Sequence, residues 1–264
     1  MTNIGILGAG QLGRMLALAG YPLGHRFRFL DPASNSPAGL LAGHLTLDYA
    51  DTSALEQFAH GLDVVTYEFE NVDADAIDQV RSLAAAPQGT DLLRVTQDRV
   101  NEKRFINDHG TPTAPWKAVN SVEELEAALD EIHYPAVLKT RSGGYDGHGQ
   151  TVLKSEADLE QVRARADHDG SFPPSILEGF VDFAFEVSVI AARGLSGEVA
   201  AYDPGENVHK DGILHTTTVP ARLTPAQRTD AVLLAARILN ALDYVGVMGV
   251  ELFVTPAALV VNEI

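Results

Sequence analysis

An apolar run that breaks into three spaced glycines restricts the fold of this chain more than any other feature. In NIGILGAGQLGRM, residues 3–15, the strand-like NIGIL leads into Gly8-x-Gly10-x-x-Gly13 and then into helix-forming residues. Glycine permits backbone angles and close approaches that a Cβ forbids. The spacing therefore predicts a strand, a tight turn and a helix whose free N–H groups attract an anion. A second apolar run, FRFLD, ends in Asp31, near where dinucleotide-binding folds place a ribose-binding acid. A nicotinamide oxidoreductase is one reading of this turn. Any phosphate satisfies the same donors, however, and Asp31 before Pro32 equally suits a turn.

The first hundred residues keep a βα rhythm, with strands expected near 3–7, 27–30 and 63–66 and helices near 11–20, 53–60 and 74–86. Such alternation implies an α/β layer with a parallel sheet covered on both faces. AAAPQGTD reads as a connector, and TQDRVNEKRFINDHG as a helix capped by Thr96 and closed by Gly110. From Trp116 the pattern becomes α+β: WKAV, a helix from Ser121 to about Ile132, AVLK, a loop, QTVLK, the helix EADLEQVRARA and the strand SILEGF. FAFEVSVIAARG and EVAAYD follow as antiparallel strands, then a helix around 225–241 and a hairpin turned at Pro256. Two domains are expected, 1–97 and 98–264, the second with a small lobe at about 116–180 and a larger one at about 181–264.

The formal net charge of −17 argues against nucleic acid as a partner and requires local cations and N–H dipoles to draw in any anionic ligand. The absence of cysteine excludes disulfides, thiolate metal sites and cysteine nucleophiles, which suits a reducing compartment. No apolar run approaches the roughly 20 residues that span a bilayer, and MTNIGIL lacks the basic start of a signal peptide. A cytoplasmic location with no membrane partner is the resulting expectation.

Chemistry concentrates in KTRSGGYDGHGQ, residues 139–150, which carries four glycines within seven residues between two strands. Backbone N–H groups in such a loop approach phosphate oxygens closely, with Lys139 as a point charge and Arg141 as a second. The order is not that of a P-loop, and a plain flexible hairpin is the alternative. Downstream, Glu178 ends SILE, and Glu186 lies inside an alternating strand. Glu251 and Glu263 lie on the two arms of the last hairpin, among apolar residues that make both strands read as buried. Each acid alone suits a solvated or salt-bridged group. As a pair, with Asn262 alongside, they suit a divalent cation such as Mg²⁺, completed by phosphate oxygens and water.

Taken together, GAGQLGRM, TYEFENV, DR at 98–99, PTAPW, LKTRSGGYDGHGQ, LEGFVDFAFEVSV, DGILHTT, DYVGVMGVELFV and VVNEI resemble the N5-carboxyaminoimidazole ribonucleotide synthetases, an ATP-grasp family of purine synthesis. The resemblance runs over nearly the whole chain in family order. It implies a Rossmann-like pre-ATP-grasp domain followed by an ATP-grasp domain, and a ligase that joins bicarbonate to 5-aminoimidazole ribonucleotide using ATP through carboxyphosphate. It further implies Mg²⁺ (or Mn²⁺) as the metal and a homodimer. By the same resemblance Arg99 and Lys139 contact ATP phosphates, and Gly144, Tyr145, Asp146, Gly147, His148, Gly149 and Gln150 form a flap over them. Glu178, Gly179, Phe180 and Val181 read the adenine edge, Glu186 the ribose and His209 a nearby position. Glu251 and Glu263 hold the metal beside Asn262.

In the resembled family the amino-terminal glycine turn lies near the substrate's phosphate. Gln11 and Leu12 are then substrate contacts, with Glu68 (and less so Glu70) for its ribose or ring amine. Lys139, Tyr145, Asp146 and His148 are the expected catalytic group, Tyr145 and Asp146 facing the second substrate. Two departures stand out. His148 occupies a position where the family carries Arg or Lys, which predicts a weaker or pH-dependent anion contact. Relatives also continue past the Asn–Glu pair, so the ATP-grasp domain is expected to be incomplete at Ile264. The rival readings are a formate-dependent glycinamide ribonucleotide transformylase or biotin carboxylase, the oxidoreductase, and a nucleotide-sensing fragment.

Overall fold

The computed structural model describes residues 1–144, 149–210 and 212–264. Its contacts divide the chain into one unit of Met1–Arg94 with Tyr244–Gly246 and another of Val95–Asp243 with Val247–Ile264.

The first unit contains β1 (Asn3–Leu7), α1 (Gln11–Gly20), β2 (Arg26–Leu30), β3 (Gly43–Leu45), α2 (Thr52–Ala59), β4 (Val64–Tyr67) and α3 (Ala74–Arg81). The strands form a parallel sheet in the order β3-β2-β1-β4. Alternation along β1 sends Leu7 into a core with Leu30, Leu55, Phe58, Val65, Ile77 and Val80, and Ile6 to the other face with Ala17 and Phe29. Both faces are thus covered, and each large buried side chain contributes about 1.5–3 kcal/mol. The Asp51 carboxylate caps α2 by accepting from Ser53 N at 2.9 Å and Ala54 N at 3.2 Å. Helix α3 stops at Arg81, earlier than the apolar pattern suggests, because the amides of Ser82, Leu83 and Ala84 turn back onto Gln79 and Val80. Strand order reverses between β1 and β4, so the turns that follow these two strands meet at one crevice.

A short helix, α4 (Asp91–Thr96), precedes the second unit, which opens with α5 (Arg99–Asp108). The cap of α5 is Asp98 and not Thr96, which ends α4. A carboxylate can take two amides at once, and that of Asp98 accepts from Val100 N at 2.9 Å and Asn101 N at 3.2 Å. Gly110 closes α5 with a φ of +70°.

Next come β5 (Trp116–Val119), α6 (Val122–Ile132), β6 (Ala136–Thr140), β7 (Gln150–Leu153), α7 (Glu156–Asp169) and β8 (Ser175–Gly179). The strands make an antiparallel sheet in the order β5-β8-β6-β7, with Val119, Leu125, Leu129, Leu138, Leu153, Leu159 and Leu177 in its core.

The rest of the unit is β9 (Phe185–Arg193), β10 (Val199–Ala201), β11 (Gly205–Lys210), β12 (Ile213–Thr218), α8 (Pro225–Ala241), β13 (Gly246–Val254) and β14 (Leu259–Glu263). Its sheet runs β12-β11-β9-β13-β14, with β10 beside β9. Helix α8 starts with a reciprocal Thr224–Gln227 capping box and Pro225 in its first turn, and it packs on β9. The β11–β12 hairpin escaped the sequence reading because β12 is exposed along its whole length and carries no burial alternation.

Candidate active site

The order of elements brings three cations and three carboxylates of the second unit together. Helix α5 supplies Arg99 and, one turn on, Lys103 on the same face. Strand β6 supplies Lys139, β8 supplies Glu178 and β14 supplies Glu263. Lys139 Nζ lies 3.3 Å from Glu178 Oε2 and 3.8 Å from Glu263 Oε1. Arg99 Nη1 donates to Glu263 Oε1 at 2.5 Å, and its Nη2 reaches the carbonyl of Gly144 at 3.4 Å. Lys103, only 1% exposed, donates to the Asn262 carbonyl at 2.6 Å and stands 3.3 Å from Glu178 Oε2. Glu102 completes the group, accepting from Ile264 N at 2.8 Å.

Charges buried this deeply persist only when paired, and the pairing sets their proton affinities. Burial pushes the Lys103 ammonium down, with Glu178 acting in the opposite sense. Burial and then Glu263 push the Glu102 carboxyl up to about 7. Glu263 itself stays below the usual carboxylate range: burial would raise it, but Arg99 and Lys139 together outweigh that.

Beside this cluster the closing hairpin presents Glu251 opposite Glu263. The expectation that both arms are buried is corrected for β13, which alternates between a buried and an open face. Met248, Val250, Leu252 and Val254 point into the core, while Val247 on the other face is 64% exposed. Simple alternation therefore puts Glu251 on the open face without removing a carboxylate from all contact with water. Burial, then Glu263, raises its carboxyl. Glu186 on β9 is raised by burial, and His209 on β11 opposes this with Nδ1 3.3 Å from Glu186 Oε2. That approach is close enough for an ion pair but lacks hydrogen-bond geometry, so among the described residues Nδ1 is a buried nitrogen without a hydrogen bond.

Among the described residues no three His, Asp or Glu side chains converge as a protein-only metal cage. The oxygen set at the hairpin still fits Mg²⁺, which takes one or two carboxylates and completes its shell with phosphate oxygens and water. Asn262 Oδ1 is buried with no hydrogen-bond partner among the described residues, beside the two carboxylates, a donor atom consistent with such an ion.

The glycine loop is held at both rims. Thr140 N donates to the carbonyl of Gly149 at 2.8 Å, and Lys139 pairs with Gln150 across the β6–β7 ladder. Gly149 has a φ of +77°, and a Cβ there would stand 2.6 Å from Thr140 Oγ1. Tyr145, Asp146, Gly147 and His148 lie outside the described residues. At the end of β8, Gly179 N donates to Pro115 O at 2.8 Å and Phe180 N to Pro135 O at 3.3 Å, which fixes the path of Gly179 and Phe180 ahead of Val181. Arg141 is not the second phosphate cation that its position in the loop suggests. Its guanidinium grips the Asp98 carboxylate, with Nη2 2.6 Å and Nε 3.0 Å from Oδ2.

In the first unit, the crevice between β1 and β4 already contains an anion. The Glu68 carboxylate, just past β4, accepts from the N–H groups of Gly10 and Gly13 at the start of α1. A Cβ at Gly8, Gly10 or Gly13 would come within 2.6, 2.9 or 2.8 Å of Glu68 atoms. The three glycines thus make room for a side chain of the chain itself. Asp31 accepts from Ala9 N at 2.8 Å and Ala33 N at 2.7 Å, the turn role and not the ribose role. Gln11 and Leu12 occupy the exposed first turn of α1.

Lys103 and Glu102 were not singled out from sequence. Their signal was available: a period of 3.6 places both charges on the face of α5 that carries Arg99 and Ile106, where a solvated helix would be apolar.

Residues 1–97 match the ribonucleotide synthetase preATP-grasp domain model, and residues 104–264 match the ATP-grasp domain model. The chain is 46% identical over 264 residues to the N5-carboxyaminoimidazole ribonucleotide synthase of Brucella melitensis, covering 99% of this chain and 72% of that protein. An ADP complex of an N5-carboxyaminoimidazole ribonucleotide synthetase superposes with a TM-score of 0.93 at 42% identity, covering 99% of this chain and 69% of that one. The Aspergillus clavatus N5-carboxyaminoimidazole synthase, solved with ADP and 5-aminoimidazole ribonucleotide, gives 0.88 at 30% identity over 99% and 69% of the two chains.

Proposed function

Because the chain belongs to the N5-carboxyaminoimidazole ribonucleotide synthase family of ATP-grasp carbon–nitrogen ligases, we propose that it carboxylates the exocyclic amine of 5-aminoimidazole ribonucleotide. A bicarbonate oxygen attacks the γ-phosphorus of ATP, the bond to the β-phosphate oxygen breaks, and carboxyphosphate and ADP form. The amine then attacks the carboxyl carbon, directly or as CO2 released from it. Phosphate leaves, and the nitrogen loses a proton, giving N5-carboxyaminoimidazole ribonucleotide.

The chain's part is positioning and charge balance. Arg99 and Lys139 carry the positive charge for the phosphates, held ready by Glu263 and Glu178. The backbone at Glu178, Gly179, Phe180 and Val181 takes the adenine edge, Glu186 the ribose hydroxyls, and His209, 3.3 Å from Glu186, lies close to the nucleotide. Mg²⁺, when bound, would be held by Glu251 and Glu263 with Asn262 alongside and would withdraw charge from the transferring phosphate. Gly144, Gly149 and Gln150 lie at the ATP phosphates, and Tyr145, Asp146, Gly147 and His148, between them in sequence, are assigned to the same phosphates and to the second substrate. Gln11, Leu12 and Glu68 contact the ribonucleotide.

The observation that carries this reading is Lys139, an ammonium within 4 Å of both a linker acid and a hairpin acid. Phosphate release from ATP that requires bicarbonate and 5-aminoimidazole ribonucleotide together is the expected result. Stimulation by formate and glycinamide ribonucleotide in their place would overturn it.

A further inference from the structure

Lys103 has no role in the reaction described so far, yet it is the most deeply buried cation of the cluster. Its side chain is 1% exposed, its Nζ is anchored on the Asn262 carbonyl at 2.6 Å, and it stands 3.3 Å from Glu178 Oε2. The same carboxylate oxygen lies 3.3 Å from Lys139 Nζ. Glu178 is 3% exposed, and its other oxygen, Oε1, is buried without a hydrogen bond among the described residues. One buried carboxylate is therefore shared by two ammonium groups, of which only Lys139 is assigned to phosphate.

The arrangement has a consequence for ligand binding. A buried carboxylate holds the nearest cation strongly, and removing one member of such a group leaves the remaining charge uncompensated. With Lys103 in place, Glu178 keeps a permanent counter-ion, so Lys139 can turn toward an incoming phosphate without stranding a buried negative charge. Without Lys103, Lys139 is the cation left within 4 Å of Glu178 among the described residues, and phosphate must compete with Glu178 for it.

We propose that Lys103 is a positioning residue for ATP, neutralising Glu178 so that the Lys139 ammonium is available to the phosphates. The proposal rests on the reading of Lys139 as a phosphate ligand.

A charge cycle in the full-length protein separates this role from a purely structural one. Affinity for a non-hydrolysable ATP analogue with Mg²⁺ is measured by calorimetry in the wild type, Lys103→Met, Glu178→Gln, the double variant and Lys139→Met. Lys103→Met is expected to bind at least about tenfold more weakly than wild type, which corresponds to ~1.4 kcal/mol. Once Glu178 is neutral, the same substitution is expected to matter little: the double variant should bind within about threefold of Glu178→Gln alone.

A double variant about tenfold weaker than Glu178→Gln would overturn the proposal, as would a Lys103→Met protein that binds like wild type. If Lys103→Met does not fold, the comparison of Glu178→Gln with the double variant, in which both buried charges are gone, decides alone. Lys139→Met keeps the two readings apart. Wild-type affinity in that variant sinks the phosphate role of Lys139, whereas lost affinity there with an unaffected Lys103→Met sinks only the role of Lys103.

Discussion

Glu251 and Glu263 stand directly opposite one another on β13 and β14, brought into register by an irregularity that follows Glu251. Two carboxylates so placed repel, and burial followed by Glu263 raises the Glu251 carboxyl above its ordinary value. A raised carboxyl favours the folded state while protonated. That contribution is complete below the ordinary carboxylate range and is lost as pH rises through the elevated value. Glu251→Gln is therefore expected to melt at the same or a higher temperature than wild type near pH 8, with the gap closing in acid. The same variant should lose Mg²⁺-dependent ATP turnover by more than about tenfold. Thermal melts across pH and a magnesium titration of turnover check both halves. A variant that melts lower near pH 8 and turns over normally would contradict the assignment.

Arg141 leaves the phosphate site for a structural one. Its bidentate grip on Asp98 tethers the carboxylate that caps α5, and Arg99 N in turn donates to the Arg141 carbonyl at 2.9 Å. Arg141→Met should thus lower unfolding free energy by about 1–2 kcal/mol, the scale of a charge-assisted cap at a partly exposed pair. The apparent KM for ATP should stay within about threefold of wild type. Urea denaturation and steady-state kinetics on one preparation separate the two effects. A large KM change with unaltered stability would return Arg141 to the phosphates.

At the start of α1 the donors of Gly10 and Gly13 are satisfied by the Glu68 carboxylate. Glu68→Ala removes that acceptor, and the expected loss is about 1–2 kcal/mol, as for a deleted helix cap. Gly8→Ala should be worse, because its φ of +99° is strained for alanine and its Cβ would meet Glu68 Cγ at 2.6 Å. NADH is expected to show no fluorescence enhancement with the wild type. Enhancement that grows in Glu68→Ala would mean the turn accepts a dinucleotide once its own carboxylate is gone.

Legibility from sequence followed the strength of local signals. The parallel sheet of the first unit could be read because β1, β2 and β4 are short apolar runs separated by helical periodicity. β3 could not, since Gly43–Leu45 has three residues and no period. Lys139, Glu178, Glu251 and Glu263 were visible as charges in apolar surroundings. What residue each charge faces is a tertiary fact. Arg141 looked like a ligand because it sits in a glycine loop, and only the fold reveals Asp98 against it. Glu68 was legible as an acid after a strand, but its place on α1 depends on strand order at the β1–β4 crevice. Lys103 was overlooked because a lysine on a helix is ordinarily a solvated residue.

Glu102 gives the sharpest pH signature. It is 3% exposed, and burial, then Glu263, pushes its carboxyl from 4.5 up to about 7, against the pull of Lys103 and Arg99. In the folded protein it holds a proton at pH values where the unfolded chain has released it. Its contribution to stability is therefore full below pH 4.5 and lost as pH rises through about 7. Glu102→Gln keeps an oxygen to accept from Ile264 N and removes the ionisation, so its stability should change less with pH across that window. Near pH 8 the variant should equal or exceed the wild type, by on the order of 1–3 kcal/mol. Near pH 5, where wild-type Glu102 is still largely protonated, the two should nearly coincide. Urea unfolding at several pH values between these limits measures the difference. Parallel profiles would mean that Arg99 and Lys103 stabilise the ionised carboxylate more than its burial disfavours it.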